Sequence, residues 1–369
     1  MYKRKIILGC ILVTIIVFGV FFLFIWRKDR VINQNLGTQE ALTQKSEHFR
    51  IGYSFYQSRK MDEALTEFRL AEKDTTNKQE RGLVDLLIGI SMDRSGDHLN
   101  AVAYLKSMGE NPEFTNEARA YAIQYLGRMY FVSYDTTLLD AIYSTDPYKK
   151  FYAEKDPLLA TRRLYEYASS YQPLAFSEIR IAALSLNEAL KSCGAPTETS
   201  LLHVKDHIIK ADQDIKKLGQ EGPASRNRLP EIYAHKAFVM TDLYALNDRS
   251  LGDPEPVFRL ALAADAQHNS HPDGIILYNY ALFLARSSPL ERKNAIVNLL
   301  ANYKDDFYRN SVAERSFVSA RTNPSFEKTR RGLILLSQTD PQFKEYLTQL
   351  GWTETDFQEN DTDKKCTPK

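Results

Sequence analysis

The chain has 369 residues, of which 43% are hydrophobic and 26% are charged, and its formal net charge is +1. This composition is that of a globular protein and excludes a chain that is disordered along its whole length. A net charge near zero, without a Lys/Arg-rich block in the soluble part, also gives no electrostatic basis for binding DNA or RNA.

The N-terminus carries one long apolar segment. Residues 6–26 read IILGCILVTIIVFGVFFLFIW, contain no charged side chain and have basic residues on both sides. As a helix, these 21 residues rise about 32 Å, which matches the roughly 30 Å hydrocarbon core of a bilayer. The sequence therefore predicts a short basic N-terminus (residues 1–5), a transmembrane helix (6–26) and a juxtamembrane segment (27–45).

Two other interpretations of the apolar segment are weaker. A cleaved signal peptide has a shorter apolar core and a small-residue cleavage site, which this segment lacks. Cys10 follows Ile7, Leu8 and Gly9 as in a lipoprotein signal, but too few apolar residues precede it. Because a short basic N-terminus usually stays inside the cell, we expect a single-pass protein of a bacterial inner membrane with its soluble domain outside the cytoplasm.

A pattern of large and small side chains begins after residue 46. The stretch 49–71 reads FRIGYSFYQSRKMDEALTEFRLA, and similar patterns start 37 residues on and again 38 residues later. The third copy has Leu139 where a small residue is expected. The positions that would pack the helices of each copy together are Gly52, Phe55, Ala64, Phe68, Ala71, Gly89, Ala101 and Gly127.

This spacing resembles the tetratricopeptide repeat, in which two helices, A and B, form a hairpin and successive hairpins stack. The resemblance implies an all-α protein in which a TPR-like α-solenoid follows the transmembrane helix. We expect repeats over 46–191 and a weakly similar helical region over 231–350. The last segment, 351–369, ends in residues without apolar side chains and is predicted to be a disordered tail.

The segment 192–230 is predicted to contain two linkers that flank an amphipathic helix. Gly and Pro mark both linkers, and between them apolar residues recur every three or four positions from Leu201 to Leu218. Such an apolar seam is expected to be buried within its own domain. The alternative is that the seam docks on a partner chain.

No arrangement typical of an enzyme or a cofactor site is present in the sequence. His203 and His207 have the helical spacing of a metal site but no matching carboxylate one turn on, and His268 and His271 lie in a polar stretch. We interpret all four as surface side chains. Cys193 and Cys366 leave only one conceivable disulfide in the soluble part, and the sequence does not decide whether they pair. We therefore predict a protein that is not an enzyme, with no metal and no cofactor.

The resemblance also implies a groove that binds a partner, lined by exposed residues of the A helices. One TPR subclass grips a C-terminal carboxylate with Lys, Asn and Arg, but the matching positions here hold other residue types, among them Tyr53 and Tyr121. Alternatively, the tyrosines pack on neighbouring helices and the arginines are solvated. The residues expected in the groove are Phe49, Arg50, Tyr53, Tyr56, Asp93, Arg94, Tyr121, Gln124, Tyr125 and Arg128.

These features predict a membrane-anchored interaction scaffold. Its expected partners are proteins or peptides, above all membrane or envelope proteins, and the lipid bilayer through residues 6–26. The first alternative is a structural subunit of an envelope, secretion or translocation complex, docked through the apolar seam of residues 201–218 or through the tail. The second is a helical hydrolase acting on the cell wall, which would need an acidic residue in a cleft.

Overall fold

The structure is a computed structural model, and all regular structure in the part it describes is helical, without a strand. The all-α class is thereby confirmed for that part of the chain. The predicted transmembrane helix, 6–26, lies outside the described residues. Within them, none of the helices combines the length and the apolar character needed to span a bilayer. The described ranges are 38–133, 136–191, 196–220, 228–267, 274–287, 289–296, 327–349 and 351–358.

The helices are numbered here in chain order. The first eight are α1 (Thr38–Lys45), α2 (Glu47–Gln57), α3 (Met61–Asp74), α4 (Lys78–Arg94), α5 (His98–Glu110), α6 (Asn116–Ser133), α7 (Thr136–Ile142) and α8 (Pro157–Tyr171). A 3₁₀ helix, Tyr148–Tyr152, lies between α7 and α8. The remaining helices are α9 (Ala175–Lys191), α10 (Glu198–Gln220), α11 (Leu229–Ala245), α12 (Glu255–Asp265), α13 (Gly274–Ser287), α14 (Glu327–Thr339) and α15 (Pro341–Gln349).

Local sequence signals start and stop several of these helices. The hydroxyl of Ser46 accepts a hydrogen bond from the backbone N–H of Phe49 at the start of α2. Asn77 and Asp156 cap α4 and α8 in the same way, each accepting from two backbone N–H groups. Gly96 has φ +96 in the turn between α4 and α5, a conformation that glycine adopts without steric cost.

Helices that follow one another pack as hairpins, and the hairpins stack in chain order. The pairs α2/α3, α4/α5, α6/α8, α9/α10 and α11/α12 each pack together, and α3 also packs on α4, α5 on α6, and α8 on α9. The first helices of successive hairpins also meet, since α4 packs on α6, α9 on α11 and α11 on α13. The helices α2, α4, α6, α9 and α11 are called the A helices below.

The first three hairpins share one contact, in which a glycine of the A helix lies against a large side chain of its partner helix. A Cβ at Gly52 would lie 2.9 Å from the Phe68 ring, one at Gly89 would lie 2.6 Å from Leu105, and one at Gly127 would lie 2.9 Å from the Tyr165 ring. Phe68, Leu105 and Tyr165 are all fully buried. The helices can therefore approach this closely only because glycine has no side chain at these three positions.

The partner of α6 is α8, and an insertion separates the two helices. Leu139, predicted to lie in that partner helix, belongs instead to α7 within the insertion, where it is buried. The insertion packs on the second hairpin, and the buried amine of Lys106 in α5 donates to the backbone oxygen of Ala141 at 3.2 Å. The prediction about Leu139 was wrong because it counted residues along the chain, whereas the contact with Gly127 is made by Tyr165, after the insertion.

The amphipathic helix predicted between two linkers is α10, and its apolar seam is buried. Val204, Ile208 and Ala211 have no exposed surface and share a core cluster with residues of α9 and α11. The alternative in which the seam docks on a partner chain is therefore not available to the folded protein.

Part of the predicted disordered tail is packed against the body of the protein. Trp352 is buried in one core cluster with Phe343 and Leu347, and the Phe357 ring lies 5.5 Å from it. The side chain of Arg330 donates to the backbone oxygen of Asp356 at 3.1 Å. The prediction was wrong for residues 351–358, because a single buried tryptophan fixes this segment, and residues 359–369 lie outside the described residues.

Candidate functional site

Tyrosine and arginine side chains on neighbouring A helices contact one another and line one cleft, and we call this group of side chains the aromatic–arginine face. It is defined by Tyr53, Tyr56, Asp93, Arg94, Tyr121, Gln124, Tyr125, Arg128, Phe176, Arg180, Arg228, Glu231 and His235.

The first part of the aromatic–arginine face lies on α2 and α4. Tyr53 and Tyr56 are half-buried and stack on each other, with ring centroids 6.1 Å apart. The guanidinium of Arg94, which is exposed, lies 4.8 Å from the centroid of the Tyr56 ring. This is the geometry of a cation–π contact.

Two of the residues predicted to line the groove do not join this face. Phe49 is fully buried, with its ring 5.7 Å from that of Phe68, so it belongs to the core and cannot contact a partner. The prediction for Phe49 was wrong, because this position of α2 faces α3. Arg50 is exposed and pairs with Glu47 one turn earlier on the same helix.

A hydrogen bond ties α4 to α6 within the face. The hydroxyl of Tyr125 donates to one carboxylate oxygen of Asp93 at 2.9 Å, and His98 Nδ1 lies 2.7 Å from the other. Burial raises the pKa of Tyr125 well above its usual range, so the phenol stays protonated as the donor. The Asp93 carboxylate is therefore occupied by contacts within the chain.

The second part of the face joins α6, α9 and α11 through charged groups. Arg128 Nη1 lies 3.2 Å from Glu231 Oε2, and Arg180 donates to His235 Nε2 at 3.1 Å. The guanidinium groups of both arginines lie over the ring of Phe176, at 5.7 Å for Arg128 and 5.1 Å for Arg180. These contacts connect residues that are far apart in the sequence.

The local electrostatics set the protonation of this group. Burial, reinforced by the positive charge of Arg180, lowers the pKa of His235 to about 4, so the imidazole is neutral near pH 7. Burial disfavours ionisation of Glu231, but Arg128 and His235 outweigh it and hold the pKa of this carboxyl below its usual range. Glu231 is therefore a carboxylate and a poor proton donor.

A small cleft opens where α6, α9, α10 and α11 meet, with a volume of about 70 Å³. Arg228, which is exposed, lies 4.3 Å above the ring of Tyr121 at its edge, and burial raises the pKa of Tyr121 to about 12. Gln124 accepts a hydrogen bond from Ser177 at 3.0 Å. The residues that line the cleft are Tyr121, Gln124, Arg128, Leu174, Ala175, Phe176, Asp214, Leu218, Arg228, Glu231 and Ile232.

The structure thus brings eight predicted groove residues onto one face and adds five that the sequence did not indicate: Phe176, Arg180, Arg228, Glu231 and His235. All five lie beyond residue 131, where the repeat pattern in the sequence is weak. A signal was present in Ile181 and Ala182, a buried large–small pair of the kind found at Ile51 and Gly52. Extending the pattern through that pair would have placed α9 beside α6.

A separate polar cluster lies inside the hairpin of α9 and α10, and it corrects a prediction about histidines. Glu178 is fully buried, and one of its oxygens lies 2.5 Å from His207 Nδ1, while Ser169 donates to the other. His207 is buried, so its assignment as a surface side chain was wrong. His203 is exposed, with its ring 4.6 Å from that of His207. His268, His271 and all three cysteines lie outside the described residues.

Neither cluster resembles a metal centre. Among the residues that the structure describes, no group of three or more His, Cys, Asp or Glu side chains is placed to hold a metal ion. What the aromatic–arginine face offers is aromatic surface and the N–H edges of guanidinium groups, which are binding groups.

The comparisons with known proteins add no relative to this description. No protein-family model matches the chain, and no match is found among curated proteins.

Proposed function

We propose that this chain is a membrane-anchored, TPR-like interaction scaffold, and that its aromatic–arginine face holds a protein partner. The observation that carries the proposal is the continuity of Tyr53, Tyr56, Arg94 and Tyr125 across three A helices. Tyrosine and arginine supply large contact area and several donors, and they are enriched among the residues that dominate interface energies. The resemblance of the first hairpins to the tetratricopeptide repeat supports the same conclusion.

The contacts within the face favour binding rather than simple packing. Tyr53 and Tyr56 keep part of their surface accessible, and Arg94 is exposed although its guanidinium lies on a ring. Side chains that are already held by neighbours lose little rotamer freedom when a partner arrives. The face is therefore ordered in advance of binding.

The anchor is the second half of the proposal. Residues 6–26 form the membrane helix, remain attached to the mature protein and hold the face close to membrane or envelope partners, which raises its local concentration there. Mass spectrometry of the membrane-extracted protein tests this half, with an N-terminus before residue 6 as the expected result. A mature N-terminus beyond residue 20 would contradict the anchor.

The two alternatives are less well supported. A structural subunit that docks through the seam of α10 would need that seam exposed, and it is buried; docking through the tail involves residues 359–369, which lie outside the described residues. A hydrolase would need an acid with a raised pKa in a cleft. Glu231 lines the cleft but its pKa is lowered, and Glu178 is enclosed within its hairpin.

Chemical cross-linking in native membranes tests the binding half. A variant combining Tyr53→Ala, Tyr56→Ala and Arg94→Ala should lose the cross-linked partners of the wild type while keeping its helical circular dichroism. The matched control combines Leu202→Ala, Ile209→Ala and Arg259→Ala, all exposed positions away from the face, and should keep them. If the first variant captures the same partners at wild-type levels, the binding surface lies elsewhere.

A further inference from the structure

The four arginines of the aromatic–arginine face fall into two groups: Arg128 and Arg180 contact polar side chains of α11, whereas Arg94 and Arg228 lie over tyrosine rings. Arg128 is matched by the carboxylate of Glu231 at 3.2 Å. Arg94 and Arg228 are exposed, and among the described residues no carboxylate oxygen lies within 4.0 Å of either guanidinium. The face therefore presents two positive charges that the described part of the chain does not pair.

Both of these arginines are held in place by rings. The guanidinium of Arg94 lies 4.8 Å from the centroid of Tyr56, and that of Arg228 lies 4.3 Å from the centroid of Tyr121. Contact with a ring restrains the guanidinium plane and leaves N–H groups at its edge for a carboxylate, which it can bind through two parallel hydrogen bonds. Such an arrangement lowers the ordering cost of binding an anion.

The acidic residues nearby do not oppose an incoming anion strongly. Asp93 is occupied by Tyr125 and His98, and the charge of Glu231 is offset by Arg128. Asp214, at the base of the cleft, accepts from the backbone N–H of Ala175 at 2.7 Å and is buried. Asp214 and Glu117 also attract the guanidinium of Arg228, but among the described residues neither carboxylate lies within 4.0 Å of it.

We propose that the partner segment is an acidic peptide, in which one carboxylate pairs with Arg94 and another with Arg228. The half-buried rings of Tyr53 and Tyr56 supply the apolar contact beside the first pair. This inference rests on the proposed function and adds the chemistry of the partner to it. It predicts binding that weakens with salt, since both pairs lie at the surface.

Peptide display against the full-length chain in detergent tests the inference. A random peptide library should enrich sequences with two or more Asp or Glu residues, and selection against an Arg94→Gln, Arg228→Gln variant should lose that enrichment. For a selected peptide, fluorescence anisotropy should show each single Gln variant binding about tenfold more weakly, and replacement of its Asp by Asn should weaken binding to the wild type equally. Arg259→Gln, at an exposed arginine already paired with Glu255, is the matched control and should change nothing.

The results separate this inference from the proposed function. Peptides without acidic residues that lose binding in a Tyr53→Ala, Tyr56→Ala variant would overturn the acidic partner and keep the binding face. Acidic peptides that bind the Arg94→Gln, Arg228→Gln variant as well as they bind the wild type would also overturn it. No selected peptide at all, with unchanged cross-linking in the triple alanine variant, would overturn both.

Discussion

The N-terminal hairpins and the centre of the stack are held together by different kinds of contact. In α2 to α5 a glycine admits a large apolar side chain, Phe68 or Leu105, from the partner helix. In α8 to α11 polar groups meet instead, in the buried pair Glu178–His207 and the half-buried pair Arg180–His235. The first kind of contact tolerates no added volume, whereas the second tolerates no loss of a partner, because a polar group then remains without a hydrogen bond.

The largest effect is expected where a fully buried polar group loses a hydrogen-bond partner. His207→Leu removes the imidazole 2.5 Å from the fully buried carboxyl group of Glu178, and leaving a buried polar group without its partner costs about 1–3 kcal/mol, or more where the group is charged. The free energy of unfolding in urea measures this. His203→Leu, one turn away and exposed, is the matched control and should stay within about 0.5 kcal/mol. Equal losses in the two variants would show that the Glu178 cluster does not stabilise the fold.

The next effect concerns pH in the same central region. The pKa of His235 is lowered to about 4 in the folded chain, against about 6.5 when unfolded. As the pH falls, the unfolded chain therefore binds a proton at His235 before the folded chain does. The contribution of His235 to the free energy of unfolding is complete above pH 6.5 and is lost as the pH falls toward 4. A shift of this size corresponds to at most about 3 kcal/mol.

Urea unfolding at pH 7 and at pH 4.5 measures this loss. The His235→Gln variant should show a smaller decrease between the two pH values than the wild type, because glutamine keeps a hydrogen-bonding group without titrating. If both proteins lose the same stability over that interval, His235 is not the group responsible.

The smallest effect is expected from added volume in the N-terminal hairpins. Gly89→Ala places a Cβ 2.6 Å from the buried side chain of Leu105, and such overpacking costs about 1–3 kcal/mol. Gly219→Ala in α10 is the matched control, because no atom lies within 4 Å of its added Cβ. Thermal unfolding should show a lower Tm for Gly89→Ala and an unchanged or higher Tm for Gly219→Ala, since alanine favours helix. A Tm for Gly89→Ala equal to that of the wild type would argue against close contact between α4 and α5.

The same contrast explains which parts of the structure could be predicted from the sequence. Gly52, Phe68 and Ala71 lie near one another in the chain, so their spacing alone predicts a helical hairpin. The 2.5 Å contact of Glu178 with His207 joins residues 29 positions apart, and that of Arg180 with His235 joins residues 55 apart. A local sequence pattern cannot indicate such pairs. The spacing of His203 and His207 therefore gave no sign that His207 is buried.

The insertion between α6 and α8 prevented a contact that follows the repeat pattern from being recognised in the sequence. Tyr165 makes with Gly127 the contact that Phe68 makes with Gly52, but 22 additional residues separate the two partners. A pattern based on fixed spacing cannot bridge an insertion, so α8 was not recognised as the partner helix of α6. The helices α9 and α11 lie within the predicted helical ranges 46–191 and 231–350, but their position beside α6, and with it the place of Phe176, Arg180 and Arg228 on the face, was not predicted.

The central claim is that the partner contacts the aromatic–arginine face and not other exposed surfaces such as that of α12. Site-specific photocross-linking tests this claim most directly. Benzoylphenylalanine is placed at Tyr53 on the face in one variant and at Leu260 in the other. Leu260 is 53% exposed on α12. After irradiation of native membranes, the account predicts a discrete cross-linked product from position 53 and none from position 260. A product from position 260 with none from position 53 would contradict it.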